Sequence, residues 1–301
     1  MQTISANGAA IPSLGFGTFS MEGKDVLRMV PAALRLGFRH VDTAQIYQNE
    51  AEVGQAIATS GVSRAEIFLT TKVWIANLAP DRFMASVDES LAKLQTDHVD
   101  LLLLHWPNGT VSLAEQIGAL NAVREAGKAR DLGVNNYPVG LPAEARSLST
   151  APLVTNQVEY RPYLEQRHLL ADMRESGIAL TAYYAMADGK VLGDAILADI
   201  AASYGRSIAQ IVLRWLIQQP SAAALTRTFS EDRARSNFKI FDFELDAMEM
   251  AAIGALAILV GRRVNPVGLS PDWDKGLTRI SNPGQAPLHM MVPLRPSWMI
   301  P

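Results

Sequence analysis

The sequence predicts an α/β chain that closes into a (β/α)8 TIM barrel, with an N-terminal β-hairpin before it and an irregular C-terminal tail after it. Three observations carry this expectation. Short apolar runs alternate with segments of helical length, the pattern of a parallel sheet whose strands are joined by helices. Eight such runs occur, and eight strands close this kind of barrel. Seven of the runs end in residues too polar for a core: Asp42, Lys72, His105, Asn135 with Asn136, Gln157, Tyr183 and Arg227. Parallel strands deliver their carboxyl ends to one face, so these residues are expected to meet there. A doubly wound open sheet is the competing architecture. No Gly-x-Gly-x-x-Gly turn follows any strand, which counts against it.

The elements follow in order. Asn7-Gly8 between two short apolar arms is a hairpin signal. Strand 14–17 precedes helix 25–36, and strand 39–42, ending His-Val-Asp42, precedes helix 50–59. Ile-Phe-Leu-Thr-Thr-Lys72 gives strand 67–72 before helix 81–94, and the Leu-Leu-Leu-Leu-His105 run gives strand 99–105 before helix 112–126. Strand 129–135 ends in Leu-Gly-Val-Asn135, with a short helix near 142–148. Strand 153–157 and helix 166–176 come next, followed by strand 178–183, helices 192–204 and 208–218, strand 222–227, and helices near 232–238 and 246–258. The barrel unit is expected to span 1–274. Residues 275–301 hold five prolines and no regular period, so they read as irregular chain.

Bulk properties narrow the function. The 301 residues fit one such barrel with its extensions, since this fold runs to about 250 residues. A net charge of −3 and a pI of 6.0 argue against a nucleic-acid partner. With no cysteine, disulfides, thiolate nucleophiles and cysteine-bound zinc are excluded, and no metal is expected. No basic residue precedes Lys24 and no signal-length apolar segment follows, so the expected location is the cytoplasm. The longest uncharged apolar window, 250–261, is short of the roughly 20 residues a bilayer span needs. A monomer is the expected state.

Asp42, Tyr47, Lys72 and His105 would come together at the ends of three successive strands and the loop after one of them. A lysine cation beside a phenol favours phenolate, so Lys72 is expected to lower the Tyr47 pKa and make it a usable acid. Asp42 would hold the Lys72 charge, and His105 would hydrogen-bond a substrate oxygen. Such a set moves a proton but brings no electrons, so a cofactor must supply them. Asn135, Asn136 and Gln157 suit a carboxamide and Tyr183 a stacked ring. Arg227, Arg233 and Asn237 surround the eighth strand end, where barrels commonly hold phosphate. Taken singly, His105 suits a structural histidine, Asn135-Asn136 a turn, Arg227 and Arg233 a solvated patch, and Trp74 and Trp106 a core. Their expected coincidence on one face favours a site.

These residues carry a resemblance. The runs Gly-Phe-Gly-Thr18, Gly-Phe-Arg-His-Val-Asp42-Thr-Ala-Gln-Ile-Tyr47-Gln-Asn-Glu50, Thr-Thr-Lys72-Val-Trp, the strand ending His105-Trp-Pro and Asn156-Gln157-Val-Glu-Tyr resemble the aldo-keto reductases. Within them Tyr183-Tyr-Ala-Met-Ala-Asp-Gly189-Lys190 and the run 268–274 are most similar to the bacterial 2,5-diketo-D-gluconate reductase B group. The resemblance implies reduction of aldehydes and ketones to alcohols with NADPH, a catalytic tetrad of Asp42, Tyr47, Lys72 and His105, and Tyr47 as proton donor. It implies cofactor contacts at Gly17, Thr18, Asp42, Asn135, Asn136, Gln157, Tyr183, Met186, Arg227, Thr228, Arg233 and Asn237, and a substrate pocket lined by Phe19, Trp74 and Trp106. Asn135 stands where the family usually has serine, and Thr226-Arg227-Thr228 where many members have Pro-Lys-Ser; arginine keeps the charge and adds a fork suited to phosphate. Two rivals use the same barrel: a Schiff-base aldolase with Lys72 as nucleophile, and a cofactor-sensing regulatory subunit with negligible turnover.

Overall fold

The computed structural model of the chain describes residues 1–107, 109–258 and 261–273; the expected irregular tail, 275–301, lies outside the described residues. Thr3–Ala6 (β1) and Ala9–Pro12 (β2) pair antiparallel around Asn7 and Gly8. Both turn residues take positive φ, 46° and 92°, the geometry that an Asn-Gly hairpin turn requires. Ala6, Ala9 and Ile11 are buried with Leu101, Leu103, Val154, Ala179 and Ala223 of the barrel. Asn7 Nδ2 also donates to the Leu153 carbonyl at 2.7 Å, so the hairpin stoppers the end of the barrel where the strands begin.

Eight parallel strands form the closed ring: Leu14–Gly17 (β3), His40–Asp42 (β4), Phe68–Val73 (β5), Val99–Leu104 (β6), Ala129–Asn135 (β7), Leu153–Glu159 (β8), Ala179–Tyr183 (β9) and Ala222–Thr226 (β10). They are neighbours in sequence order, and β10 closes on β3. Alternate residues of a strand share a face, so one inward position near each end sets a whole layer. His40 and Thr70 meet inside at 3.0 Å, and Asp42 and Lys72, two residues further on, meet at 2.6 Å in the layer above. Glycine makes the lower layer possible. A Cβ on Gly15 would lie 2.5 Å from Leu225 and 2.8 Å from His40, and one on Gly133 would lie 2.7 Å from Leu103.

The helical layer covers the ring. Gly23–Leu36 (α1) ends at Gly37, whose φ of 111° suits glycine and lets the chain turn back into β4. Glu50–Ala58 (α2) passes so close to Pro80–Leu94 (α3) that a Cβ on Gly54 would sit 2.5 Å from the Lys93 carbonyl oxygen. Leu113–Glu125 (α4), Leu141–Leu148 (α5), Arg167–Glu175 (α6), Ala195–Tyr204 (α7), Ile208–Ile217 (α8), Glu231–Phe238 (α9) and Ala247–Gly254 (α10) complete it. Capping boxes start α4 at Ser112, α8 at Ser207 and α10 at Asp246, satisfying end N–H groups that would otherwise lack partners. Among the described residues no single helix is long and apolar enough to cross a membrane.

The observed boundaries differ from expectation in instructive places. The expected helix 192–204 begins later, because Asp194 accepts the Leu197 N–H and caps α7, leaving Ala187–Gly193 as short 3-10 turns kinked at Asp188 and Gly189. The last expected helix, 246–258, stops at Gly254, and Ile258 instead bridges to Leu164. His105 and Arg227 lie just beyond their strands, whereas β8 runs two residues past Gln157 to Glu159.

His40 links this core to acid stability. Burial pulls its pKa from 6.5 down to about 4, against the opposing pull of Asp42. The unfolded chain therefore binds this proton at higher pH than the folded chain does. Stability is complete above pH 6.5 and is lost as pH falls toward 4, by at most about 3 kcal/mol for this group. His105 is depressed in the same direction, so part of the slope belongs to it. Urea midpoints between pH 4 and 7 are expected to fall less steeply in His40→Gln than in the parent, and parallel curves would assign the whole effect to other groups.

Candidate active site

Lys72 occupies the upper inward position of β5 with its side chain 0% exposed. A buried ammonium is tolerated only when its hydrogens are taken up. Its Nζ lies 2.6 Å from Asp42 Oδ1, 2.8 Å from the Thr43 carbonyl oxygen and 3.3 Å from Tyr47 Oη, three acceptors for three N–H bonds. Burial lowers the Lys72 pKa and the Asp42 charge opposes that loss, so Asp42 holds the proton on.

The geometry fixes the direction of the phenol. Because Lys72 donates to Tyr47 Oη, the hydrogen of that hydroxyl points away from the ammonium. Tyr47 ends the short 3-10 turn Gln45–Tyr47 after β4, with its ring edge-on to Phe19 at 5.2 Å and to His105 at 5.7 Å. Burial raises the phenol well above its ordinary value, and the Asp42 charge adds to the rise. This is the reverse of the expected lowering: losing water costs phenolate more than the Arg227 charge, the one influence in the other direction, returns. Tyr47 is thereby held in the protonated form, the form a proton donor needs.

The turn that presents Tyr47 is fixed by residues that sequence reasoning passed over. Gln45 Oε1 accepts the Trp74 N–H at 2.8 Å, and its Nε2 donates to Ser86 O at 3.1 Å. Asn49 donates to the Thr18 and Met21 carbonyls and accepts from Thr43 Oγ1 at 2.9 Å. Two side-chain amides flanking an aromatic, Gln45 and Asn49 around Tyr47, were the available signal.

His105 follows β6, between Tyr47 and the Trp74 ring, whose centroid is 5.3 Å away. Burial and the Lys72 charge hold its pKa well below 6.5, so the imidazole is neutral. Its Nδ1 has no hydrogen-bond partner among the described residues. Phe19 is exposed and Trp74 half-buried around this point; Trp106 is nearly enclosed and its ring faces Trp273 at 6.4 Å. Trp273 was missed, because the segment that holds it has no strand or helix period.

A second chain of hydrogen bonds runs from the tetrad along the downstream strand ends. Asp42 Oδ2 accepts from Gln157 Nε2 at 2.7 Å, and Gln157 Oε1 accepts from Asn135 Nδ2 at 2.7 Å. Asn136 Nδ2 donates to Asn135 Oδ1 and to the His105 carbonyl, and Tyr183 Oη donates to Asn136 Oδ1 at 2.7 Å. Asn136 holds a φ of 64° to do so. Asn135, Asn136, Gln157 and Tyr183 therefore form one network with Asp42. Thr18 closes the other side, its N–H reaching the Asp42 carbonyl at 2.9 Å. Protein packing does not demand glycine at 17, where a Cβ would meet only Thr226 O at 3.9 Å. Glycine here leaves space beside Asp42, and that space and the amide row suit a flat carboxamide-bearing ring.

The remaining expected contacts lie around β10. Arg227 is exposed; its guanidinium donates to the Phe19 carbonyl at 2.8 Å and to Ser20 Oγ, between the rings of Phe19 and Phe229. Thr228 Oγ1 accepts the Ser230 N–H, and Ser230 caps α9, whose first turn holds Arg233. Asn237, on the same helix, donates to Thr226 Oγ1 at 2.8 Å. A guanidinium, hydroxyls and a helix N-terminus in one place suit a phosphate. Met186 is half-buried just before the turn Ala187–Gly193.

Comparison with known proteins agrees with this geometry. The model of the Aldo/keto reductase family matches residues 13–258. Methylglyoxal reductase DkgB of Escherichia coli O157:H7 is 42% identical over 268 residues, 88% of this chain and 100% of its own length. Glyoxal reductase of Bacillus subtilis (strain 168) is 36% identical over 267 residues, 88% of this chain and 94% of its own. A solved structure described as "Crystal structure of a putative 2,5-diketo-D-gluconic acid reductase B" superposes with a TM-score of 0.90 at 58% identity, covering 91% of this chain and 98% of that one. Reductases of this family act on small carbonyl compounds with nicotinamide cofactors. A closed eight-stranded barrel, a half-buried tyrosine beside a buried lysine, aspartate and histidine at its mouth, and a match over most of its length place the chain in the aldo/keto reductase family.

Proposed function

We propose that the chain is an NADPH-dependent reductase that converts small aldehydes and ketones to alcohols, with 2-oxo aldehydes such as methylglyoxal as the first substrate class to try. One observation carries the reading: the three hydrogens of buried Lys72 go to Asp42, Thr43 and Tyr47, which leaves the Tyr47 hydroxyl hydrogen free to point toward a substrate. Bound reduced nicotinamide supplies a hydride to the carbonyl carbon. Tyr47 gives its proton to the carbonyl oxygen, and Lys72, 3.3 Å away, stabilises the negative charge left on the phenol oxygen. Asp42 keeps Lys72 charged through that step. Neutral His105 donates one hydrogen bond to the substrate oxygen and orients it. Asn135, Asn136, Gln157 and Tyr183 would hold the carboxamide end of the cofactor, with Gly17, Thr18 and Met186 beside it. Arg227, Thr228, Arg233 and Asn237 would hold the phosphorylated ribose and its base. The substrate class comes from the names of the relatives, methylglyoxal reductase and glyoxal reductase, and from a mouth walled by Phe19, Trp74 and Trp106.

Oxidation of NADPH with methylglyoxal, glyoxal, keto sugars and aromatic aldehydes tests the reaction, and no turnover on any of them would reject it. Arg227→Ala tests the cofactor. A charge-assisted fork to phosphate is worth about 1.5–3 kcal/mol, so the NADPH dissociation constant should rise roughly 10- to 100-fold. NADH, which lacks that phosphate, should change little. Equal losses for the two cofactors would remove Arg227 from the phosphate site.

A further inference from the structure

Glu159 is the last residue of β8 and lies two positions beyond Gln157, on the same side of the strand. It is 0% exposed, it pairs with Tyr183 across the sheet, and among the described residues its carboxylate makes no hydrogen bond to the tetrad. Its carboxylate is nonetheless fully engaged. Oε1 and Oε2 accept the Arg263 N–H at 2.9 and 3.0 Å, Oε2 accepts the Val264 N–H at 2.7 Å, and Arg161 Nη1 lies 2.9 Å from Oε1. Arg161 is itself 2% exposed and donates to the Gly261 carbonyl. Gly261 backs directly onto Tyr163: a Cβ there would fall 2.2 Å from the Tyr163 carbonyl oxygen. A buried ion pair has thus been spent on the backbone of residues 261–264, whose N–H groups belong to no helix or strand.

Those residues lead to the mouth of the barrel. The Arg262 guanidinium stacks on the Trp273 ring at 3.5 Å, and Trp273 Nε1 donates to Asn265 Oδ1 at 2.9 Å. Trp273 then faces Trp106, the neighbour of His105. A continuous set of contacts therefore runs from the buried carboxylate through 263–265 to an indole at the edge of the pocket.

We propose that Glu159, with Arg161 as its counter-charge, is a positioning residue for substrate selection: it fixes residues 261–264 at the barrel mouth and so sets Trp273 against Trp106. The proposal rests on the reading of this mouth as a carbonyl-reducing site. Trp273 lies outside the tetrad, so it acts on substrates long enough to pass His105 and offer it a flat face. On this proposal an aromatic aldehyde would meet the indole and methylglyoxal, with three carbons, would not. Neutralising Glu159 leaves Arg161 buried without a counter-ion and removes the charge that binds the 263 and 264 N–H groups, which frees the segment.

The test compares Glu159→Gln, Trp273→Ala and the double variant with the parent, using methylglyoxal and 2-naphthaldehyde. Glu159→Gln is expected to raise KM for 2-naphthaldehyde about tenfold, the scale of one lost aromatic contact, while its kcat and both constants for methylglyoxal change less than about twofold. Trp273→Ala should do the same, and the double variant should be no worse than the worse single, because both act through one indole. A readout independent of turnover accompanies it: trypsin should cut at Arg262-Arg263 at least about tenfold faster in Glu159→Gln, as fewer contacts hold that backbone. Unchanged cleavage, equal KM shifts for the two aldehydes, or additive losses in the double variant would each overturn the proposal. If Glu159→Gln does not fold, Asn265→Ala, which cuts the same connection at an exposed residue, must give the selective KM shift. Absence of turnover in the parent would reject the reductase reading and leave the trypsin result to decide the anchoring by itself.

Discussion

Replacing Tyr47 by phenylalanine should lower kcat by about 10²- to 10⁴-fold, the usual contribution of a positioned proton donor, and leave NADPH affinity within about twofold. The substitution removes one oxygen and little else. The ring keeps its edge contacts with Phe19 and His105, and the loop is held by Gln45 and Asn49, not by the hydroxyl. What changes inside is Lys72, which loses one of three acceptors but keeps Asp42 at 2.6 Å and Thr43 at 2.8 Å. A buried donor left unpaired costs about 1–3 kcal/mol, so a modest fall in stability accompanies the loss of activity. The expected signature is therefore kcat gone, cofactor binding intact and a small shift in the urea midpoint. Single-turnover kinetics with fluorescence titration of NADPH read the first two directly. Near-parental kcat in this variant would transfer the proton to His105 and break the mechanism.

Much of this architecture was written in strand ends. Asp42, Lys72, His105, Gln157 and Tyr183 each close an apolar run, and topology alone then brings them to one face, which is where the structure has them. Asn7-Gly8 likewise specifies its hairpin through local backbone preference. What stayed hidden depends on quantities a linear pattern does not hold. The direction of the Tyr47 pKa turns on burial, and the nearby Asp42 charge adds to it. The pairing of Gln157 with both Asp42 and Asn135 depends on which way two amides face, a matter of tertiary geometry. Glu159 was visible as a charge continuing the alternation after Gln157, but the backbone N–H groups it binds lie about a hundred residues downstream in a segment without period. Helix α7 shows the converse case. Its apolar pattern extends before Ala195, yet one local side chain, Asp194, fixes where it begins.

Lys72→Met is expected to abolish turnover and also to destabilise the fold by about 3–5 kcal/mol, the usual consequence of leaving one member of a buried ion pair without its partner. Both side chains are enclosed, 0% and 3% exposed, so solvent cannot screen the carboxylate that remains. Among the described residues the Asp42 carboxylate would keep only the hydrogen bond from Gln157 at 2.7 Å. Stability and catalysis make different demands on this pair, and a second substitution separates them. In Asp42→Asn/Lys72→Met the buried charge disappears from both sides. Buried ion pairs replaced together by neutral groups commonly lose little stability, so the double variant should regain most of what the single one lost while remaining inactive. Urea unfolding at pH 7 with kcat on methylglyoxal measures both. A double variant as unstable as Lys72→Met would locate the loss at the unpaired Thr43 carbonyl and the reshaped cavity, not at the charge. A double variant that regained turnover would show that the ammonium is dispensable to the Tyr47 proton. The expected split has a physical source: the fold tolerates Lys72 because Asp42 compensates it, whereas the proposed reaction would need its positive charge to face a phenol that is giving up a proton.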